Sequence, residues 1–301
     1  MRDGVNSGPK PMAMVGERPL LWHVMRYYAH FGHTEFVLCL GYGASYVKDF
    51  FLNYDETRSN DFVLENGAHD VQLFSTDISE WRITFVDTGL NSPIGERLRR
   101  VRRFVDGEEM FMANYADVLT NAPLPDIIRR FEQSDAIASL LAVPPQSSHH
   151  VVEIGDDGLI SQVTPMRDLR QWENGGYFVL KPEIFDYLGE GEDLVEDAIM
   201  RRLVPRKRVL AYPYKGYWSP ADTVKERAQL DEMYHRGHCP WMIWDQDRSG
   251  SVLPQGRALA EPLAAEPASV GAPASSDAQA AAIAAMAAHA AGTYGVAADA
   301  G

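Results

Sequence analysis

The chain has 301 residues, 46% hydrophobic and 23% charged, enough apolar sequence for one or two domains with a sizeable core. Its formal net charge of −14 argues against nucleic acid as a partner, because a phosphate backbone wants a basic surface. Two cysteines, Cys39 and Cys239, are too few for a disulfide scaffold or a cysteine-type zinc site, and in the part expected to fold no charge-free apolar run reaches the roughly 18 residues of a membrane span. Met1-Arg2-Asp3-Gly4 has no apolar stretch behind it and does not read as a signal peptide, so the reducing cytoplasm is the expected compartment. In chain order, residues 20–31 predict a helix with Leu21, Val24, Met25 and Tyr28 on one side. Phe36-Val37-Leu38-Cys39-Leu40, ended by Gly41, predicts a buried strand. Residues 44–54 predict a helix, 81–86 a strand, 95–104 a basic helix, and 110–115 a strand running into Ala116-Asp117. Helix, strand and hairpin follow at 124–131, 136–143 and 150–162, the hairpin turning at Asp156-Asp157-Gly158. Residues 177–180 and 209–214 are the last predicted strands, with a helix after Pro182 and another from Val224.

This alternation predicts an α/β fold: a Rossmann-like, mostly parallel mixed sheet with helices on both faces and a small C-terminal β portion. Composition changes near Ser249, beyond which Ala, Pro, Gly and Ser dominate. The expected organisation is therefore a folded domain over residues 1–248 and a disordered low-complexity tail over 249–301. Residues 278–291 are rich enough in Ala to be helical, but they lack an amphipathic face. The tail is expected to add little to folding, so that its deletion leaves the thermal midpoint nearly unchanged.

Ligand sites in such sheets lie at the carboxyl ends of the strands. Asp117 stands at one of these ends, where a carboxylate can hold a hard cation or merely make a turn. Asp222 precedes the helix at Val224, as a metal-holding carboxylate or as the helix cap. Two such aspartates with Lys10, set between Pro9 and Pro11, suit a Mg²⁺–phosphate site. Asn174-Gly175-Gly176 and Gly41-Tyr42-Gly43 either let the backbone approach a ligand closely or make turns. No Walker loop, Gly-x-Gly-x-x-Gly fingerprint, His-Glu-x-x-His or Gly-x-Ser-x-Gly is present.

These segments together resemble the sugar-1-phosphate nucleotidyltransferases, and among them the glucose-1-phosphate cytidylyltransferases. The resemblance rests on Pro9-Lys10-Pro11-Met12, Arg18-Pro19-Leu20-Leu21-Trp22-His23, the run from Phe36 to Tyr42, and Trp81 through Gly89. It continues in Asn174-Gly175-Gly176-Tyr177-Phe178-Val179-Leu180, Gly216-Tyr217-Trp218, Asp222-Thr223, Cys239-Pro240-Trp241 and Trp244. It implies attack of a sugar-1-phosphate oxygen on the α-phosphorus of a nucleoside triphosphate. With CTP and glucose 1-phosphate as substrates, the products are CDP-glucose and pyrophosphate. It further implies Mg²⁺ held by Asp117 and Asp222, and phosphate contact by Lys10. Base and ribose fall near Thr88, Gly89, Gly95 and Arg97, and the sugar near Asn174, Gly175 and Gly176. Gly41, Tyr115 and Trp218 complete the implied substrate-binding set. The family also implies a homo-oligomer that serves polysaccharide biosynthesis.

Three departures from the family pattern are visible. The family opens with an apolar strand and a Gly-Gly-x-Gly-Thr-Arg loop, and Met1-Arg2 aligns just beyond it. A gap in the sheet and impaired turnover by this chain are therefore expected. Val163-Thr164-Pro165 stands where the wider superfamily has Glu-Lys-Pro, and Ala116-Asp117-Val118 stands for Gly-Asp-Gly. A rival reading is a non-catalytic homologue that binds nucleotide sugar or partner subunits. A nucleotide-sugar glycosyltransferase is disfavoured, because Val118-Leu119 follows Asp117 where that class has a second aspartate.

Overall fold

The computed structural model describes residues 8–146, 149–246 and 282–285. Its central sheet is built from β1 (Glu35–Leu40), β2 (Arg82–Asp87), β3 (Phe111–Tyr115), β5 (Ala138–Val143), β6 (Glu173–Leu180), β7 (Val209–Pro213) and β9 (Ala282–Ala285). A small separate ladder pairs β4 (Val118–Thr120) with β8 (Trp218–Pro220). The strand order is β7-β5-β6-β3-β9-β1-β2. Only β6 runs against its neighbours, so the sheet is mixed and mostly parallel.

Alternate residues of each strand enter opposite cores, as the two-residue period of a strand requires. Phe36, Leu38 and Leu40 of β1, Met112 of β3, and Tyr177 and Val179 of β6 face one core. That core is closed by α1 (Leu20–His30), α2 (Ala44–Leu52) and α4 (Leu124–Glu132). Val37, Cys39, Phe111, Ala113, Phe178 and Leu180 face the other. There α3 (Ile94–Val101) packs with a wide π-type helix, Leu194–Leu203. Two hairpins, Phe62–Glu65 with Asp70–Leu73 and His150–Ile154 with Ile160–Pro165, stand outside the sheet.

Four residues beyond Ser249 depart from the expected tail. Ala282–Ala285 is neither helix nor tail; it is a strand at the centre of the sheet, parallel to β1 and β3. The expected gap is thus filled from the far end of the chain. Two strands with open edges supply hydrogen-bond partners on both sides, and such context overrides the weak strand preference of alanine. The remainder of 249–301, and with it the expectation of disorder, lies outside the described residues.

Candidate active site

The site is assembled at the carboxyl end of β3. Beyond Tyr115 the chain turns through Ala116-Asp117 and enters β4, whose Val118 is in register with Pro220 of β8. The Ala221 N–H donates to the Asp117 carbonyl at 2.9 Å, so Asp117 and Asp222 lie at one end of the same ladder. Asp222 is not the helix cap. Thr223 caps α5 (Val224–His235) and forms a reciprocal capping box with Glu226. The Asp222 carboxylate is left to Lys10, whose Nζ lies 3.1 Å from Oδ1. Lys10 itself is held in a tight turn between Pro9 and Ala13, with Met12 N–H donating to the Pro9 carbonyl at 2.8 Å.

These three groups line a cavity of about 450 Å³ together with Tyr115, Asn174, Gly175, Gly176 and Trp218. At Gly176, φ is +74° and a Cβ would come 2.7 Å from the Tyr115 ring, so only glycine fits. The Asn174 Oδ1 accepts from the Gly176 N–H at 3.0 Å, and its Nδ2 donates to the Tyr115 hydroxyl at 3.3 Å. Trp218 is buried, and its indole N–H donates to the Gly175 carbonyl at 2.8 Å. Burial raises the Tyr115 pKa to about 12, with Asp193 and Asp117 pushing the same way. Its hydroxyl is therefore protonated at neutral pH and able to donate.

The residues expected near base and ribose form a separate cluster at the ends of β1 and β2, outside this cavity. Thr88 is buried, and its N–H and hydroxyl both donate to the Leu40 carbonyl, at 2.8 and 2.9 Å. Arg97 is also buried. Its guanidinium donates to the Thr88 hydroxyl and to the carbonyls of Leu90 and Ser92. It braces the loop from within. A Cβ on Gly41 would lie 2.7 Å from Arg97 Nη1 and 2.9 Å from the Gly89 carbonyl, and one on Gly95 would lie 2.5 Å from the Glu192 carbonyl. Gly41 and Gly95 therefore serve close packing, whereas Gly89, with φ of +90°, forms the turn itself. Sequence reasoning did not place Pro11, Ile94, Ala116, Val118 and Pro220 in the cavity wall. Pro11, beside Lys10, and Ala116 and Val118, on either side of Asp117, carried a signal.

Thr164 pairs with Val151 in the second hairpin and is not among the cavity-lining residues. Among the described residues no group of three or more His, Cys, Asp or Glu gathers as a metal cage. No helix among them is long and apolar enough to cross a membrane.

A probable glucose-1-phosphate cytidylyltransferase of Bacillus subtilis (strain 168) is 31% identical over 245 residues, covering 81% of this chain and 95% of the relative. The chain belongs to the glucose-1-phosphate cytidylyltransferase family. A glucose-1-phosphate cytidylyltransferase of Salmonella typhimurium is 29% identical over 238 residues, covering 79% of this chain and 92% of the relative. No family model matches the chain. Solved structures with the same fold include a UDP-glucose pyrophosphorylase, at a TM-score of 0.55 and 17% identity over 76% of this chain and 91% of its own. HddC from Yersinia pseudotuberculosis complexed with GMP-PN matches at 0.52 and 18%, over 77% and 94%. As a member of this family the chain is an enzyme of the sugar-1-phosphate nucleotidyltransferase class.

Proposed function

We propose that the protein transfers a cytidylyl group from CTP to glucose 1-phosphate. An oxygen of the sugar phosphate forms a bond to the α-phosphorus, the bond from that phosphorus to the bridging oxygen breaks, and pyrophosphate leaves. The observation that carries this reading is the cavity where Lys10, Asp117 and Asp222 meet Asn174-Gly175-Gly176. It places charged groups suited to phosphates beside a backbone that a sugar can approach closely. The choice of cytosine and glucose follows the names of the relatives.

The donor set fits Mg²⁺. That ion usually takes one or two carboxylates and completes its shell from phosphates and water instead of an all-protein cage. Asp117 and Asp222 would hold it, and when bound it neutralises charge on the triphosphate. The chain's own groups do the rest by positioning and charge. Lys10, now 3.1 Å from Asp222, exchanges that partner for a phosphate oxygen. The protonated Tyr115 hydroxyl and the Asn174 side chain face the sugar. Trp218 holds the Gly175 carbonyl, and so positions the glycine backbone.

Product analysis with CTP, UTP, dTTP and GTP, each with glucose 1-phosphate and Mg²⁺, tests the reading. CDP-glucose is the expected main product, and preferential formation of another nucleotide glucose would overturn the assignment. Binding of CDP-glucose without turnover would mark the non-catalytic homologue instead.

The Trp218→Phe variant keeps an aromatic ring but lacks the indole N–H and its hydrogen bond to the Gly175 carbonyl, a loss of about 1 kcal/mol. Its KM for glucose 1-phosphate is expected to rise about fivefold with kcat little changed. An unchanged KM would remove Trp218 from the positioning role.

A further inference from the structure

Asp222 is one of the two carboxylates proposed to hold Mg²⁺, and it already carries a cation. The Lys10 ammonium lies 3.1 Å from its Oδ1. The backbone fixes both ends of this pair. On one side, Pro9 packs against Gly43 so closely that a Cβ there would come 2.6 Å from the proline ring. Pro11 is buried, and the Ala13 N–H donates to the Lys10 carbonyl at 3.0 Å. On the other side, the Ala221 N–H donates to the Asp117 carbonyl, and the Thr223 N–H donates to Glu226 Oε2 at 2.8 Å. Asp222 stands between these two anchors. The Lys10 side chain is only 26% exposed, against 60% for Asp222. The surrounding fold therefore keeps the ammonium at the carboxylate, where the attraction of an exposed pair alone is weak.

The charges of the cavity limit what can enter it. Its charged lining residues are Lys10, Asp117 and Asp222, one cation against two carboxylates. A divalent cation that uses both carboxylates meets the ammonium on one of them. Like charges at such close range repel, and twice as strongly when one of them is divalent. A nucleoside triphosphate changes the balance. Phosphate oxygens are usual ligands of Mg²⁺, and they also accept from a lysine ammonium. Once such an oxygen takes Lys10, the Asp222 carboxylate is released to the metal.

We infer that Lys10 is a built-in counterion of Asp222, which keeps a bare divalent cation out of the carboxylate pair and ties metal uptake to the arrival of the nucleotide phosphates. The inference rests on the metal-holding role proposed for Asp117 and Asp222. It gives Lys10 a second task beside phosphate contact: the metal enters as metal–nucleotide and not as the free ion.

Binding of Mn²⁺ alone to full-length, nucleotide-free protein provides the test, with free Mn²⁺ read from its electron paramagnetic resonance signal. Lys10→Met keeps an unbranched side chain of similar length and removes the charge. It should bind Mn²⁺ about tenfold tighter than the parent or more, the scale of removing one adjacent positive charge from a hydrated site. Lys10→Arg keeps the charge and should stay within about twofold of the parent. Lys207→Met controls for net charge. Lys207 precedes β7 and so lies at the amino edge of the sheet, opposite the site, and exposed charges more than about 10 Å apart are largely screened. This variant should match the parent. Adding Asp222→Asn to Lys10→Met should abolish the gain. A gain in Lys207→Met equal to that in Lys10→Met would reduce the effect to net charge and overturn the inference. So would Lys10→Met that binds no tighter than the parent. Loss of the ion in Asp117→Asn would in that case leave the metal site standing, whereas its retention would take the metal-holding reading down as well.

Discussion

Asp117→Asn is expected to lower kcat for CDP-glucose formation by about a hundredfold or more, the scale set by loss of one preorganised electrostatic group at a reacting centre. The carboxamide keeps the shape of the side chain but brings a neutral, weaker oxygen to a hard cation. The bond that joins this turn to β8 should survive the change, because it comes from the Asp117 backbone carbonyl, which accepts from Ala221 N–H. Asp222→Asn should fall by a similar factor. Its carboxylate is largely exposed and pairs with Lys10 at 3.1 Å, and an exposed pair of this kind contributes only about 0–1 kcal/mol to stability. Its thermal midpoint should therefore match that of the parent. The double variant should be little worse than either single one, since groups that act on one centre are not additive. Steady-state pyrophosphate release, with the midpoints measured alongside, decides the matter. Activity of Asp117→Asn within about tenfold of the parent, well short of the expected loss, would remove the carboxylate from the metal-holding role.

The proximity on which that prediction rests was only partly legible. The residue types were readable, since Asp at a strand end, Asp before a helix and Lys between prolines each suggest phosphate chemistry. That Lys10 and Asp222 touch across 212 positions is a property of the tertiary fold. The division of labour at Asp222-Thr223 could have been read, because Thr223 with Glu226 three residues later is a capping-box pattern. The strand over 36–40 was legible because a short continuous apolar run ended by Gly41 leaves few alternatives. The hairpin over 62–73 is not among the predicted elements, although Asn66-Gly67, both at positive φ, is a strong short-range turn signal. Nothing in a basic helix tells which arginine turns inward, and the structure gives that place to Arg97 through Thr88 and two loop carbonyls. The strand Ala282–Ala285 was not legible at all. Its alanines favour helix, and only the open edges of β1 and β3 make it a strand.

Stability is expected to fall as pH falls from about 6.5 to 4.5, the range in which an ordinary histidine gains its proton. His23 lies on α1 among Trp22, Tyr234, Trp241 and Trp244. Its Nε2–H is assigned as donor to the Val15 carbonyl at 3.0 Å, and Nδ1 accepts from the Trp241 indole at 3.4 Å. Burial lowers its pKa to about 4, opposed by backbone bonds to Val15 and Arg18 and assisted by the Arg18 charge. The folded state thus stays neutral where the unfolded chain takes up a proton. The sign follows: the unfolded state binds more protons between the two values, so stability is complete above about pH 6.5 and declines below it. One proton changes stability by about 1.4 kcal/mol per pH unit, so the loss approaches 2–3 kcal/mol at pH 4.5. The carboxylates with lowered values, Asp55, Glu96 and Glu192, lose their contribution mainly below that range. The same contacts brace the segment that carries Lys10. Leu20 N–H donates to the Ala13 carbonyl, and Gly16 N–H donates to Asp231 on α5 at 2.8 Å. Urea midpoints measured between pH 7 and 4.5 should drop for the parent. They should be lower at the start but nearly flat for His23→Gln, which cannot ionise. An equal pH slope in both would move the effect to another group.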